Sequence, residues 1–139
     1  MRDFRFSKRS YCLVLIFLCF FWTSASYMSW LYRLLDTVGS GNVEILSEVV
    51  AYMFQAAGIG MFAWAIAHRP EWNGLRSFAV VTVVDFLCGV LAVTTKSYVL
   101  VLLFGLLMNL LHGLVAAFYL HELAARETTC PAIVFGGGY

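Results

Sequence analysis

Four long apolar runs dominate the chain, and most of its charged residues lie in short blocks between them. The runs cover residues 11–32, 49–67, 77–95 and 97–120. A helix needs about 20 apolar residues to cross the hydrocarbon core of a bilayer, so each run is long enough to form a membrane-spanning helix. We therefore predict one membrane domain over residues 1–139, built on four transmembrane helices.

The residues between the runs predict how the helices connect. A stretch that contains glycines and three acidic residues, 34–48, is expected to form the first loop. Pro70 is expected to end the second helix, because proline disfavours helix in the residue before it. The bend around Lys96 is short, so the third and fourth helices should form an antiparallel hairpin.

The composition supports a membrane protein. Of the 139 residues, 62% are hydrophobic and 12% are charged, and this charged share is about half that of a typical soluble domain. The predicted fold class is therefore an all-α integral membrane protein. The net charge of +1 gives no reason to expect a nucleic-acid partner. A signal peptide is the alternative for the first run, but its uncharged residues continue beyond the weak cleavage site at Ala25, so we favour a retained helix.

Residues 131–139 begin with Pro131 and are apolar. They are too few to cross a bilayer, and proline is common at the first position of a helix. We expect them to be the start of a fifth transmembrane helix that is cut short. The alternative is an interfacial tail, because three consecutive glycines are poor helix formers.

The basic residues are distributed unequally between the two sides of this arrangement. One side holds Arg2, Arg5, Lys8, Arg9, Arg69, Arg76 and Arg126, and the other holds Arg33 and Lys96. Cytoplasmic segments carry the excess of lysine and arginine in membrane proteins. We therefore predict a protein of the cell membrane with a cytoplasmic N-terminus.

Two ionisable residues interrupt the predicted hairpin. Asp85 lies 11 residues before Lys96, and His112 lies 16 residues after it. At 1.5 Å per residue, these positions differ in depth by about 7 Å. An ionisable residue inside a membrane is costly and is a candidate for function. We predict that Asp85 and His112 approach within hydrogen-bonding reach, with a purely structural role for His112 as the alternative.

Other polar residues lie on faces of the remaining helices. Gly105, Asn109 and Gly113 recur every four residues as a packing seam, in which Asn109 either lines a cavity or bonds to a neighbouring helix. Ser26 and Gln55 belong to polar faces that could line a cleft open to the outside. The aromatic residues near that end are expected in the interfacial belt: Tyr27, Trp30, Tyr32 and Tyr52.

Motifs for a cofactor, a metal or an enzyme do not stand out in the sequence. The cysteines lack metal-binding spacing, and no phosphate loop or zinc-protease motif is evident. His68 and His121 could pair on a haem, but interfacial solvation at helix ends explains both. We expect no cofactor, no metal site and no enzymatic activity.

The layout resembles the N-terminal part of a major facilitator superfamily transporter. It shares a basic tail, a long first span, a short basic loop after the second span and a tight turn before the fourth. The stretch AIAHRPEWNGLRS is similar to the loop motif of that family and keeps Arg69, Gly74 and Arg76, with His68 where the motif has an acid. The text YLHELAARE…AIVFGGGY resembles the end of span four, its loop and the start of span five.

The resemblance implies alternating access, in which two six-helix halves rock around a site at the midplane. Spans one and four line the cavity of such transporters, which makes His112, Asn109, Gln55 and Ser26 the candidate cavity residues. Asp85 would support His112, and the two would couple transport to protons. The implied function is transport of a small solute by a truncated chain that lacks its C-terminal half. The alternative is a complete four-helix accessory or scaffold protein.

Overall fold

A computed structural model describes residues 8–38 and 41–126. The described residues form four α-helices and one 3-10 turn, and contain no strand: α1 (Lys8–Val38), α2 (Gly41–His68), the turn (Pro70–Trp72), α3 (Leu75–Thr94) and α4 (Tyr98–Arg126). Each of these α-helices contains a segment long and apolar enough to cross a membrane. The prediction of an all-α membrane protein is confirmed. The tail 131–139, expected to begin a fifth helix, lies outside the described residues.

Two of the three connections lie where the sequence predicts them. Helix α2 ends at His68, next to the residue that precedes Pro70. The bend between α3 and α4 covers residues 95–97, and the carbonyl of Ser97 accepts the first hydrogen bond of α4, from the amide of Val101 at 2.9 Å. Thr95 leaves the helix in an extended conformation, which turns the chain back on itself.

The prediction of a loop over residues 34–48 is wrong for the part of it that the structure describes. Helix α1 continues to Val38, and α2 begins at Gly41. With 31 residues, α1 is about 46 Å long, which exceeds the hydrocarbon core of about 30 Å. Charged residues at its end therefore stand in the headgroup region or in water, where they mark the edge of the membrane but do not end the helix.

Helix α4 lies at the centre of the bundle and packs against α1, α2 and α3. Helix α1 runs antiparallel to it. Ile16 near the start of α1 packs with Val115 in the second half of α4, whereas Trp30 near the end of α1 packs with Val101 near the start of α4. Because α4 is central, small residues lie where other helices approach it, as at Gly105 beside Trp30 of α1 and at Gly113 beside Gln55 of α2.

Glycines set the close crossing of α2 and α4. A Cβ added at Gly58 would overlap the carbonyl oxygen of Leu110, and one added at Gly113 would overlap the carbonyl oxygen of Gln55. Backbones can approach this closely only where both helices lack side chains, a known feature of helix pairs in membranes. The small-residue seam predicted on the fourth helix therefore makes contact with α2 at Gly113.

The ends of the helices are joined at each side of the bundle. On one side, the side-chain amide nitrogen of Asn73 lies 2.7 Å from Nε2 of His121, and this contact joins the turn before α3 to the end of α4. On the other, Arg33 near the end of α1 donates to the carbonyl of Thr95 at 3.2 Å. The start of α1, the α2–α3 connection and the end of α4 thus lie at one end of the bundle, as an up-and-down arrangement requires.

Candidate functional site

A buried polar cluster joins α1, α3 and α4. Asp85 is fully buried, and its Oδ2 accepts a hydrogen bond from the indole Nε1 of Trp22 at 2.6 Å. Its Oδ1 lies 3.4 Å from Nε2 of His112, which is also buried. The close approach of Asp85 and His112 expected from their similar depth is present. At 3.4 Å the contact is an electrostatic pair at the outer limit of a hydrogen bond.

Ser26 fixes the tautomer of His112. Its hydroxyl donates to the backbone carbonyl of Trp22 at 2.6 Å, so the oxygen is free to accept from Nε2 of His112 at 3.0 Å. The Asp85 carboxyl faces the same nitrogen, and two acceptors around one nitrogen indicate that Nε2 carries the proton. The other ring nitrogen, Nδ1, is buried and has no hydrogen-bond partner among the described residues.

A second polar pair lies between α2 and α4. The side-chain amide of Asn109 donates to the carbonyl of Gly105 at 2.8 Å, and its oxygen accepts from Nε2 of Gln55 at 2.8 Å. Asn109 is fully buried. This is the interhelical hydrogen bond that the sequence left open as the alternative to a cavity role for Asn109. Its effect is to hold the end of the Gln55 side chain in one orientation.

A cavity of about 370 Å³ lies between α1, α2 and α4. His112 and Gln55 are part of its wall, together with residues that are mostly hydroxylated or aromatic: Phe20, Thr23, Ser24, Tyr27, Tyr52, Ala116 and Tyr119. The rings of Tyr27 and Tyr52 stack across the gap between α1 and α2, with centroids 6.2 Å apart. The volume is at the lower end of the range for small-molecule sites.

The predicted cavity residues therefore divide into two groups. His112 and Gln55 line the cavity, whereas Ser26 and Asn109 are not among its lining residues. Ser26 and Asn109 are buried behind the wall, where each bonds to one of the two lining side chains. The polar faces seen in the sequence include all four residues. Only the packing shows which of them can contact a ligand and which orient the side chains that do.

Trp30 corrects the expected interfacial belt. Its side chain is fully buried, and its indole nitrogen donates to the carbonyl of Val101 at 3.0 Å. A Cβ at Gly105 would overlap the indole ring, so the glycine of α4 creates the space that Trp30 occupies. Tyr32 and Tyr52 are largely exposed, as side chains at the membrane surface would be.

Trp22 is the site residue that the sequence analysis missed. It lies in the bulky apolar part of α1, where an aromatic residue carries no signal of a polar role. The available signal was the adjacent polar stretch from Thr23 to Ser26, which shows that this part of α1 faces protein and not only lipid. An indole beside such a stretch can be tested as a donor for a buried carboxyl.

The loop residues shared with the transporter motif lie away from this cluster. Arg69 is exposed and pairs with Glu71 at 3.5 Å. Gly74 precedes α3 with an extended backbone, and a Cβ there would meet its nearest atom at 3.9 Å, so this position does not require glycine. Arg76 is exposed on the first turn of α3. Nothing in this geometry gives the three residues a common role.

Residues with metal-binding side chains do not cluster in the part of the chain that the structure describes. The fold and the site together define an all-α integral membrane protein with an ionisable pair buried beside a polar cavity. Comparison with known proteins gives no matching family model, curated protein or solved structure. The function must therefore be inferred from the chemistry of the site.

Proposed function

We propose that this protein takes part in proton-coupled transport of a small solute across the cell membrane. One observation supports the proposal most: the Asp85–His112 pair is buried within an apolar bundle and borders a polar cavity. An ionisable pair is an expensive way to stabilise membrane helices, because its desolvation offsets much of its attraction. If the pair changes its protonation when solute occupies the cavity, it has a functional role that explains why it is present despite this cost.

The cavity supplies the second part of the proposal. Its wall combines hydroxyl, amide and imidazole groups with aromatic rings, which is the composition of a site for a small polar ligand. A protein that only holds partner helices together has no need of such a cavity. The accessory or scaffold function remains the alternative, and the apolar outer surface of the bundle suits lipid as well as it suits partner helices.

The transporter class and the topology are also parts of the proposal. The layout of the spans, with a basic connection after α2 and a tight bend before α4, supports an arrangement like that of the major facilitator superfamily. The excess of basic residues at the end of the bundle that holds the N-terminus supports a cytoplasmic location for that end. Alternating access would then expose the cavity to one side of the membrane at a time.

The test reconstitutes the complete product of the gene that encodes this chain into vesicles with an internal pH dye. Gradients of amines, amino acids, sugars and carboxylates are imposed in turn, with the membrane potential clamped. We expect one class of solute to drive a proton flux that disappears in His112→Ala and in Asp85→Asn. The matched control is His68→Ala, because His68 is exposed at a helix end and, among the described residues, its ring contacts Trp64 of its own helix.

Two results would count against the proposal. If the flux keeps its pH dependence in both His112→Ala and Asp85→Asn, proton coupling does not use this pair. If no solute gradient moves protons although the protein is folded in the vesicles, the accessory function becomes the better explanation. Helical circular dichroism and a single gel-filtration peak establish that each variant is folded before its flux is interpreted.

A further inference from the structure

Two series of side chains linked by hydrogen bonds, called chains below, determine which polar atoms near the cavity remain without a partner among the described residues. In the first, the carbonyl of Gly105 can only accept, so it must face the amide nitrogen of Asn109. The oxygen of Asn109 therefore faces Gln55, which must present its own amide nitrogen to it. The carbonyl oxygen of Gln55 is thereby left as an acceptor in the side chain that lines the cavity.

In the second chain of hydrogen bonds, the donors also point toward a backbone carbonyl. The carbonyl of Trp22 takes the hydroxyl proton of Ser26, so Ser26 accepts from Nε2 of His112. A neutral imidazole protonated at Nε2 has a lone pair at Nδ1, and this atom has no partner in the described part of the chain. Both chains begin at a backbone carbonyl of a helix and end in a hydrogen-bond acceptor. The acceptor of Gln55 belongs to a side chain that lines the cavity, whereas Nδ1 of His112 is buried in the wall. The carbonyl oxygen of Gln55 therefore suits the cavity to a hydrogen-bond donor.

The rest of the wall favours a positive charge. The rings of Phe20, Tyr27, Tyr52 and Tyr119 line the cavity, and aromatic faces attract cations. His112 is the only lining residue with a basic side chain, and no arginine or lysine lines the cavity among the described residues. Tyrosine rings and acceptors without a fixed cation are unsuited to a carboxylate or a phosphate.

Charge balance links such a ligand to a proton. The titratable groups around His112 are the Asp85 carboxyl of α3, with the Cys88 thiol one turn beyond it, and three tyrosines that line the same cavity: Tyr27 of α1, Tyr52 of α2 and Tyr119 of α4. Asp85 is the only carboxylic acid in this set. When it is ionised, burial in the bundle requires one compensating positive charge nearby. A proton held by the Asp85–His112 pair balances that charge, and so does a cation in the cavity.

We propose that the cavity binds a small protonated amine and that its binding releases one proton from the Asp85–His112 pair, an inference that rests on the transport function proposed above. The ammonium donates to Gln55 Oε1 and lies against the tyrosine rings, beside the imidazole of His112. The pair gives up its proton to water, and the ammonium then replaces that proton in balancing the charge of Asp85. Amine and proton therefore exclude each other, which is the condition for exchange across a membrane.

The experiment measures binding to the complete gene product in detergent by titration calorimetry. Three probes of the same shape are compared: benzylamine, benzyl alcohol and benzoate. Repeating the benzylamine titration in buffers with different heats of ionisation gives the number of protons released. We expect benzylamine to bind at least about tenfold more tightly than the alcohol, because a hydrogen bond from a charged donor is the stronger one. One proton should be released per amine bound.

Two variants test the charge balance and the acceptor separately. Asp85→Asn should bind benzylamine more weakly and release no proton, because it removes the buried charge that either the proton or the amine must balance. Gln55→Met keeps the side-chain volume but removes an acceptor, and should weaken benzylamine by about tenfold or more while changing benzyl alcohol less. The control is again His68→Ala, which should match the wild type. If Asp85→Asn does not fold, Gln55→Met with the three probes still decides whether the wall selects a cation.

Several outcomes would overturn the inference. They are preferential binding of benzoate, equal binding of the amine and the alcohol, or binding of benzylamine by the wild type without proton release at any pH from 5 to 8. The inference and the transport function can also fail separately. If a proton flux depends on His112 but is driven only by a sugar or a carboxylate, the transport proposal stands and the amine inference fails. If benzylamine binds with proton release but no flux occurs in vesicles, the amine site stands and the transport proposal fails.

Discussion

The crossing of α2 and α4 at Gly113 gives the sharpest test of the packing. In Gly113→Ala, the new Cβ would overlap the carbonyl oxygen of Gln55 and lie 2.8 Å from its carbonyl carbon and 3.0 Å from its Cα. Carbon atoms in contact are about 3.5–4.0 Å apart, so the two helices must separate by about 1 Å. The hydrogen bond between Gln55 and Asn109, now 2.8 Å, would then lengthen beyond its normal range.

The magnitude follows from three contributions. Overpacking of a tight contact costs about 1–3 kcal/mol, and loss of the Gln55–Asn109 hydrogen bond costs about 1 kcal/mol. Alanine in place of glycine inside a helix increases the stability by about 1 kcal/mol. We expect Gly113→Ala to lower the free energy of unfolding by about 1–3 kcal/mol. The protein is held in mixed micelles, titrated with dodecyl sulfate and followed by circular dichroism. The variant should reach its unfolding midpoint at a lower proportion of dodecyl sulfate than the wild type.

Gly60→Ala is the matched control in the same protein. Gly60 also lies inside α2, but beyond the adjacent backbone of α2 no described atom lies within 4 Å of a Cβ added there. This variant should be neutral or up to about 1 kcal/mol more stable, because only the helix preference of alanine acts. Equal unfolding midpoints for the two variants, or a higher stability of Gly113→Ala, would show that α2 and α4 are not in tight contact at Gly113.

Two further predictions use the same unfolding titration. Trp22→Phe removes the 2.6 Å hydrogen bond to Asp85 and should lower the free energy of unfolding by about 2 kcal/mol, because bonds to charged groups are the stronger ones. An unchanged midpoint would show that the indole does not support the carboxyl. Trp30→Phe removes the bond to the carbonyl of Val101 and should cost about 1 kcal/mol, and a variant as stable as the wild type would place Trp30 at the surface after all.

The helices and their order could be predicted from the sequence, since four apolar runs of sufficient length leave few other arrangements in a membrane. The depth of Asp85 and of His112 could be predicted as well, because a short bend fixes the register of an antiparallel hairpin. The end of α1 could not. The charged residues after Tyr32 suggest a loop, but a helix that leaves the bilayer still satisfies its own backbone hydrogen bonds and has no reason to stop.

The sequence by itself determined the fold class, the close packing made possible by Gly113 and the proximity of Asp85 to His112. Only the tertiary structure decided that Trp22 and Ser26 complete this pair and that Gln55 lines the cavity while Asn109 holds it in place. The physical reason is that membrane helices are apolar on nearly every face. Residue spacing then fixes a position along the helix axis, whereas rotation about that axis is set by how neighbouring helices pack.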